Sequence, residues 1–272
     1  MVQSAPLIAR PGFAAAMRNS TRRPLAMMEQ DPRFHRCIGD IPTYALGVLA
    51  LYLHAHDRLY HRGLREAAKG LFSAGRATAI LARMQSVGLI EPVDAFQSGV
   101  QRRYRPAPAM VRAFRASYLI ELNSLALIDP RVAPMVEAYE TSAVFDGIVA
   151  FLATRHFTTP SLDQDLIEPL GGVGRRSMGL FLTYALAEAA LAGGCERAQG
   201  TIDLNLSKLA ARLGVSRTHA RRILAMLEAA GLVEPGPGEG RLTLTPAFAD
   251  AYELYFFGMF SVLLAAVGCH EA

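Results

Sequence analysis

The 272-residue chain predicts a mainly α fold in which one small unit, a few helices closed by a β-hairpin, is built twice. Three observations point there. A helix, turn, helix and hairpin pattern runs from Ser207 to Thr245. An ungapped echo of it runs from Leu64 to Pro92. A long apolar helix follows each copy.

In the downstream copy Ser207 is placed to cap a short helix carrying Leu209, Ala210 and Leu213 on one side. Gly214 and Val215 make the turn, because glycine tolerates the left-handed backbone that ends a helix. Ser216 caps the next helix through its hydroxyl. There Ala220, Ile223, Leu224 and Leu227 recur at the spacing of a buried stripe. Thr218, Arg221 and Arg222 lie on the opposite face, flanked by Arg217 and His219. Gly231 ends the helix, Leu232 and Val233 open a strand, Pro235 to Gly240 turn it, and Arg241 to Thr245 return. This order is that of a winged helix-turn-helix, which lays its second helix in a DNA major groove. The candidate DNA contacts here are Ser207, Lys208, Ser216, Arg217, Thr218, His219, Arg221, Arg222 and Arg241.

The stretch resembles the DNA-binding core of the MarR family of winged-helix regulators. Glu239-Gly240-Arg241 stands where that family usually has Asp-x-Arg at the wing, with Glu here in place of Asp. Leu244-Thr245-Pro246 looks like its strand exit. Folds of the catabolite-activator type share the Leu-Ala-Ala…Gly-Val-Ser…Arg core, so that core marks the fold. The resemblance implies a dimer-like pair joined by terminal helices on a palindrome, and a pocket for a small-molecule effector that these residues do not name.

The echo makes such a pair within one chain. Set without gaps, Leu64–Pro92 and Ser207–Pro235 are identical at 11 of 29 positions, and the matches fall on core, cap and exit. Tyr44-Ala45-Leu46 matches Tyr184-Ala185-Leu186 upstream of each copy. Pro106 aligns with Pro246 after a first wing three residues longer. The helices Met110–Ile128 and Phe248–Val267 follow. So few copies indicate a duplicated domain rather than a solenoid. The prediction is tandem winged helix-turn-helix domains with small β-wings, packed as an intrachain pseudodimer through long flanking helices.

Taken in order, residues 1–30 carry Arg10, Arg18, Arg22 and Arg23 with few apolar anchors. They read as a basic, partly ordered arm, or one that touches the minor groove or phosphates. Residues 31–130 form the first winged-helix domain, beginning with an apolar helix after Pro42. Residues 131–175 are a helical connector. It is broken at Thr159-Pro160-Ser161, acidic from Asp163 to Glu168, and ends in a flexible Gly171–Gly174 joint that lacks the Lys-Ser/Thr of a phosphate loop. Residues 176–272 are the second winged-helix domain.

The two outward faces differ. The first copy offers Gly75, Thr78 and Ala79 where the second has Thr218, Arg221 and Arg222. Arginine can fork onto guanine; glycine and alanine offer at most a thymine-methyl contact. Ser73, Arg76, Thr78, Arg102, Arg103 and Arg105 are therefore expected to grip DNA more than read it. Of a net charge of +4, residues 64–105 and 207–241 together hold +7, leaving the rest acidic.

Cys37, Cys195 and Cys269 are scattered, with no Cys-x-x-Cys, which fits a reducing cytoplasm and no structural zinc. The apolar run Leu254–Cys269 is short of a bilayer span and reads as a buried interface helix. His54, Asp57 and His61, at i, i+3 and i+7, form a weak metal candidate on one helix face; no cofactor is implied. No nucleophile motif or catalytic carboxylate pair appears, so an enzyme is the least favoured class. The reading is a cytoplasmic, bacterial-type transcriptional regulator whose partner is double-stranded DNA, with no membrane and with further self-association open. Two rivals remain: a plasmid-type replication initiator with two winged helices, and a winged-helix protein-interaction scaffold.

Overall fold

The computed structural model describes residues 7–69, 73–93, 102–141, 143–158 and 170–268. The expected break at Thr159–Ser161, the acidic Asp163–Glu168 stretch, Cys269 and the tip of the upstream wing lie outside the described residues. The helices are α1 (Phe13–Gln30), α2 (Pro32–Cys37), α3 (Ile41–Ala55), α4 (His61–Ala67), α5 (Ala74–Ser86), α6 (Pro108–Ala126), α7 (Ala133–Glu137), α8 (Val144–Thr158), α9 (Gly171–Gly174), α10 (Gly179–Ala192), α11 (Leu206–Leu213), α12 (Arg217–Ala229) and α13 (Pro246–Ala266). Strands β1 (Ile90–Pro92) and β2 (Tyr104–Pro106) pair antiparallel. β3 (Gly200–Asp203), β5 (Arg241–Leu244) and β4 (Val233–Pro235) form a second antiparallel sheet in that spatial order.

The N-terminal stretch departs from expectation. It is not a loose arm: α1 buries Phe13, Ala16, Met17, Ser20, Thr21, Leu25 and Met28. It packs against both α6 and α10. Two hydroxyls make this possible, because each meets a partner from a different half of the chain. Ser20 donates to Glu121 on α6 at 2.6 Å, and Thr21 and the Tyr252 hydroxyl of α13 hydrogen-bond at 2.7 Å. The glycine run is not a free joint either, since it is the one-turn helix α9, with Gly171, Val173 and Gly174 buried.

The core is mainly aliphatic, with a row of aromatic rings running through it. Along α13, Phe248, Tyr252, Phe256 and Phe260 fall four apart and are all fully buried. Phe260 meets Phe13 edge-on at 6.0 Å. This helix, at 21 residues, is longer than the 16-residue apolar run read from the sequence. It alone among the described helices is long and apolar enough to cross a membrane, yet half of that window is buried in the fold. Cys37 is also buried, and the loss of solvent raises its thiol pKa to about 11, so it is no reactive thiolate.

The same backbone ladder occurs in both segments. Ala107 N–H donates to Leu89 C=O as Thr245 N–H donates to Leu232 C=O. His61 N–H reaches Arg102 C=O as Leu204 N–H reaches Gly240 C=O. Ile90 faces Pro106 as Val233 faces Leu244, and Tyr60 bridges Arg103 as Asp203 pairs with Arg241. β3, not foreseen from the sequence, is thus matched upstream by the single bridge at Tyr60.

The register also corrects one alignment. Pro108 and Pro246 open the two long helices, so the counterpart of Pro246 is Pro108 and Pro106 answers to Leu244. Sixteen positions separate Pro92 from Pro108 and eleven separate Pro235 from Pro246. The upstream wing is therefore longer by five residues rather than three. Side-chain packing follows the same register. Tyr44 sits against Phe114 and Tyr118, with ring centres 5.0 and 6.3 Å away. Tyr184 sits against their counterparts Tyr252 and Phe256, at 6.2 and 6.0 Å.

Candidate nucleic-acid interface

The start of α11 is set by Asn205, whose Oδ1 accepts from Lys208 N–H at 3.0 Å. Asparagine caps as well as serine. Ser207, expected to be the cap, is instead an exposed residue of the first turn beside Lys208. Ala210 and Leu213 bury the inner face. Gly214 takes φ +64°, the left-handed turn expected of it. Ser216 caps α12 as expected, accepting from His219 N–H at 3.1 Å.

In α12 the residues Ala220, Ile223 and Leu227 are buried, and Leu224 is half-buried. Arg217, Thr218, Arg221 and Arg222 are exposed on the other side. The side chains of Lys208, Arg217, Arg221 and Arg222 have no ion pair or hydrogen bond among the described residues, so four cations face solvent unneutralised. Such a group repels itself in the free protein and attracts a polyanion.

Other expected contacts are occupied within the protein. His219 is half-buried, and its Nε2 is 2.8 Å from the Ser177 carbonyl oxygen, so it anchors α12 rather than facing DNA. Arg241 pairs with Asp203 at 3.3 Å across the sheet but stays half-exposed at the wing base. Arg212 is also spent, on Glu29 of α1 at 2.7 Å and Glu188 of α10 at 2.8 Å. These two bridges fasten the helix-turn-helix to the helices behind it. Arg197, just before β3, does the same through Glu253 and Asp250 of α13, both at 2.6 Å.

Upstream, Ser73 caps α5 by accepting from Arg76 N–H at 3.3 Å, and Ala77, Leu81 and Met84 are buried. Gly75, Arg76, Thr78 and Ala79 are exposed. The Thr78 hydroxyl donates back to Ala74 C=O at 3.0 Å. The wing arginines, expected to be a free phosphate grip, are all engaged. Arg103 pairs with Asp57 at 3.1 Å and lies over the Tyr60 ring. Arg105 pairs with Glu91 at 3.0 Å. Arg102 is half-buried over the Tyr104 ring. Surface pairs of this kind are worth at most about 1 kcal/mol, so a phosphate can displace the carboxylate, at the cost of the pair.

The metal candidate fails on backbone geometry. α3 ends at Ala55 and Asp57 takes φ +55° in the turn that follows, so His54, Asp57 and His61 do not share a helix face. Asp57 is taken by Arg103, and among the described residues no three His, Cys, Asp or Glu side chains gather to hold a metal ion.

Sequence reasoning also missed Arg175 and Arg176. Both are exposed, and among the described residues unpaired, immediately before Ser177, the residue that holds His219, so they add positive charge near the start of α12. A doubled arginine was the only signal for them.

Comparison with known proteins bears on this segment. The family model for the IclR helix-turn-helix domain matches residues 196–237, from the approach to β3 through α11 and α12 to the end of β4. No curated protein and no solved structure matches the chain. Residues 196–237 are an IclR-type helix-turn-helix DNA-binding domain, the domain of a winged helix-turn-helix family of transcription regulators.

Proposed function

We propose that this chain is a sequence-specific, double-stranded-DNA-binding regulator of transcription in which two winged helices of unequal duty form a MarR-like pair within one chain. The observation that carries the reading is the set of four unpartnered cations on α11 and α12, beside Thr218 on the same outward face. Arg221 and Arg222 are the base readers, each bidentate guanine contact being worth about 1–3 kcal/mol of discrimination. Lys208, Arg217 and the wing residue Arg241 bind phosphates.

The upstream segment acts as the second, degenerate winged helix. Its repeated hydrogen-bond ladder and the matched Tyr44 and Tyr184 packing support a duplication, and α6, α13 and α1 supply the seam of the pseudodimer. In this role Arg76, Arg102, Arg103 and Arg105 hold the duplex with little regard to sequence. The protein works without catalysis, in the cytoplasm. Sedimentation of the complex tests the arrangement. One chain should occupy a short site spanning two adjacent major grooves, about 34–36 Å apart. A requirement for two chains on one such site would contradict it.

A further inference from the structure

A cavity of about 280 Å³ opens between α2, α3, α6, α10 and α13, with Pro24 of α1 at its edge. An apolar cavity of about 150 Å³ is enough to hold benzene, so this one has room for a substituted aromatic ring. Its walls are aromatic and aliphatic. The residues with polar groups that line it include Tyr44, Tyr118, Tyr184, Tyr255, Glu121 and Asp40. Among the described residues no lysine or arginine lines it.

The Glu121 carboxyl is the unusual member. Its register partner on α13 is Met259, which lines the same cavity, so a carboxyl stands where the duplicated plan has a thioether. Glu121 is buried, and its one hydrogen bond is from Ser20. Tyr118 lines the same cavity, and its hydroxyl is buried without a well-formed hydrogen bond. An acid in such a place, with no cation near it, is poorly used by a neutral occupant. A ligand cation supplies the missing charge, and tyrosine faces attract cations through the ring quadrupole.

We propose that this cavity binds a lipophilic monocation, an aromatic ammonium in chemical class, with Glu121 as its counter-ion and Tyr44, Tyr118, Tyr184 and Tyr255 as its aromatic walls. Burial raises the Glu121 pKa to about 8, opposed by the Ser20 hydrogen bond. The carboxyl is therefore mostly protonated at neutral pH, and taking up the cation releases its proton. The groups facing it are Ser20 on α1, Tyr44 on α3, Tyr184 on α10, and Tyr252 and Tyr255 on α13. Asp40 and His35 border the same space; burial lowers the His35 pKa to about 4, so that ring stays neutral.

Calorimetry without DNA tests this independently of the DNA-binding reading. The probes are benzyltrimethylammonium and its uncharged isostere neopentylbenzene, each titrated at about pH 6.5 and about pH 8.5. The cation should bind at least about tenfold more tightly at the higher pH, while the isostere shows no such change. Glu121→Gln should abolish the pH dependence for the cation yet still bind the isostere, which reports that the cavity is intact. If the variant binds neither probe, the wild-type pH profiles alone decide. Equal affinity of cation and isostere, a flat pH profile for the cation, unchanged cation binding in the variant, or no binding of either probe to the wild type would overturn the proposal.

Discussion

Among the described residues, the segments 61–106 and 204–244 share one backbone ladder and differ most on the outward faces of α5 and α12. Ser73 and Ser216 make the same cap, Ala77 and Ala220 fill the same buried position, and Gly88 and Gly231 both take positive φ. Outside, Gly75, Thr78 and Ala79 stand against Thr218, Arg221 and Arg222. At both wing bases an arginine is paired, Arg103 with Asp57 and Arg241 with Asp203, but among the described residues Lys208, Arg217, Arg221 and Arg222 on α11 and α12 have no such partner. Caps and buried positions thus keep the local fold while outward positions vary, and the proposed division of labour rests on that difference.

The largest expected effect lies at the proposed seam, where Glu121 on α6 occupies the position that Met259 has on α13. Its folded pKa of about 8 lies above an unfolded value near 4.3, so the unfolded chain ionises first as pH rises. Stability is thus lost progressively between about pH 4 and pH 8. Glu121→Gln should remove that slope and stabilise the protein by about 2–4 kcal/mol near pH 7.5, measured by denaturant unfolding across pH. A slope that survives the substitution would restore the symmetry of the two halves.

The proposed reading faces come next. Arg221→Ala with Arg222→Ala should lower preferred-site affinity more than about tenfold in anisotropy titrations, and random-duplex affinity less. Thr78→Ala, at the position equivalent to Arg221, should change either by less than about twofold, because its hydroxyl is already turned to Ala74. Equal loss on both sequences after the arginine change would mean that these residues grip phosphates.

The caps should behave alike. Ser216→Ala and Ser73→Ala should each cost about 1 kcal/mol of stability. Unequal costs would show that one helix start is held mainly by packing.

Smallest is the release of the upstream wing. Glu91→Gln frees Arg105, and random-duplex binding should tighten by about two- to fivefold at low salt, with a salt slope steeper by up to about 0.9. No change would remove Arg105 from the DNA surface.

The sequence made α12 and α5 legible because a serine cap and an apolar stripe are local signals. It misplaced the start of α11 because Asn205 and Ser207 are both competent caps, and geometry chose the first. α1 was illegible as a core helix because its inner face uses Ser20 and Thr21, whose partners Glu121 and Tyr252 lie 101 and 231 residues away. β3 pairs with a strand some forty residues on, and it was missed for the same reason. The wing arginines read as free because Asp57 and Glu91 reach them only through the fold. The helix-turn-helix core identified the architecture, while the family model matching it is IclR, since that core is common to several winged-helix groups.

The unequal duty of the two segments is tested most directly by measuring every single-base substitution across a selected site, with the protein oriented on it by cleavage from a probe attached at Cys195, which is exposed, in a Cys269→Ser background. Substitutions at contacted positions in the half under α12 should cost about 1–3 kcal/mol each. Those in the half under α5 should cost distinctly less. Two equally strict half-sites would contradict the account and place base-reading residues in the upstream segment.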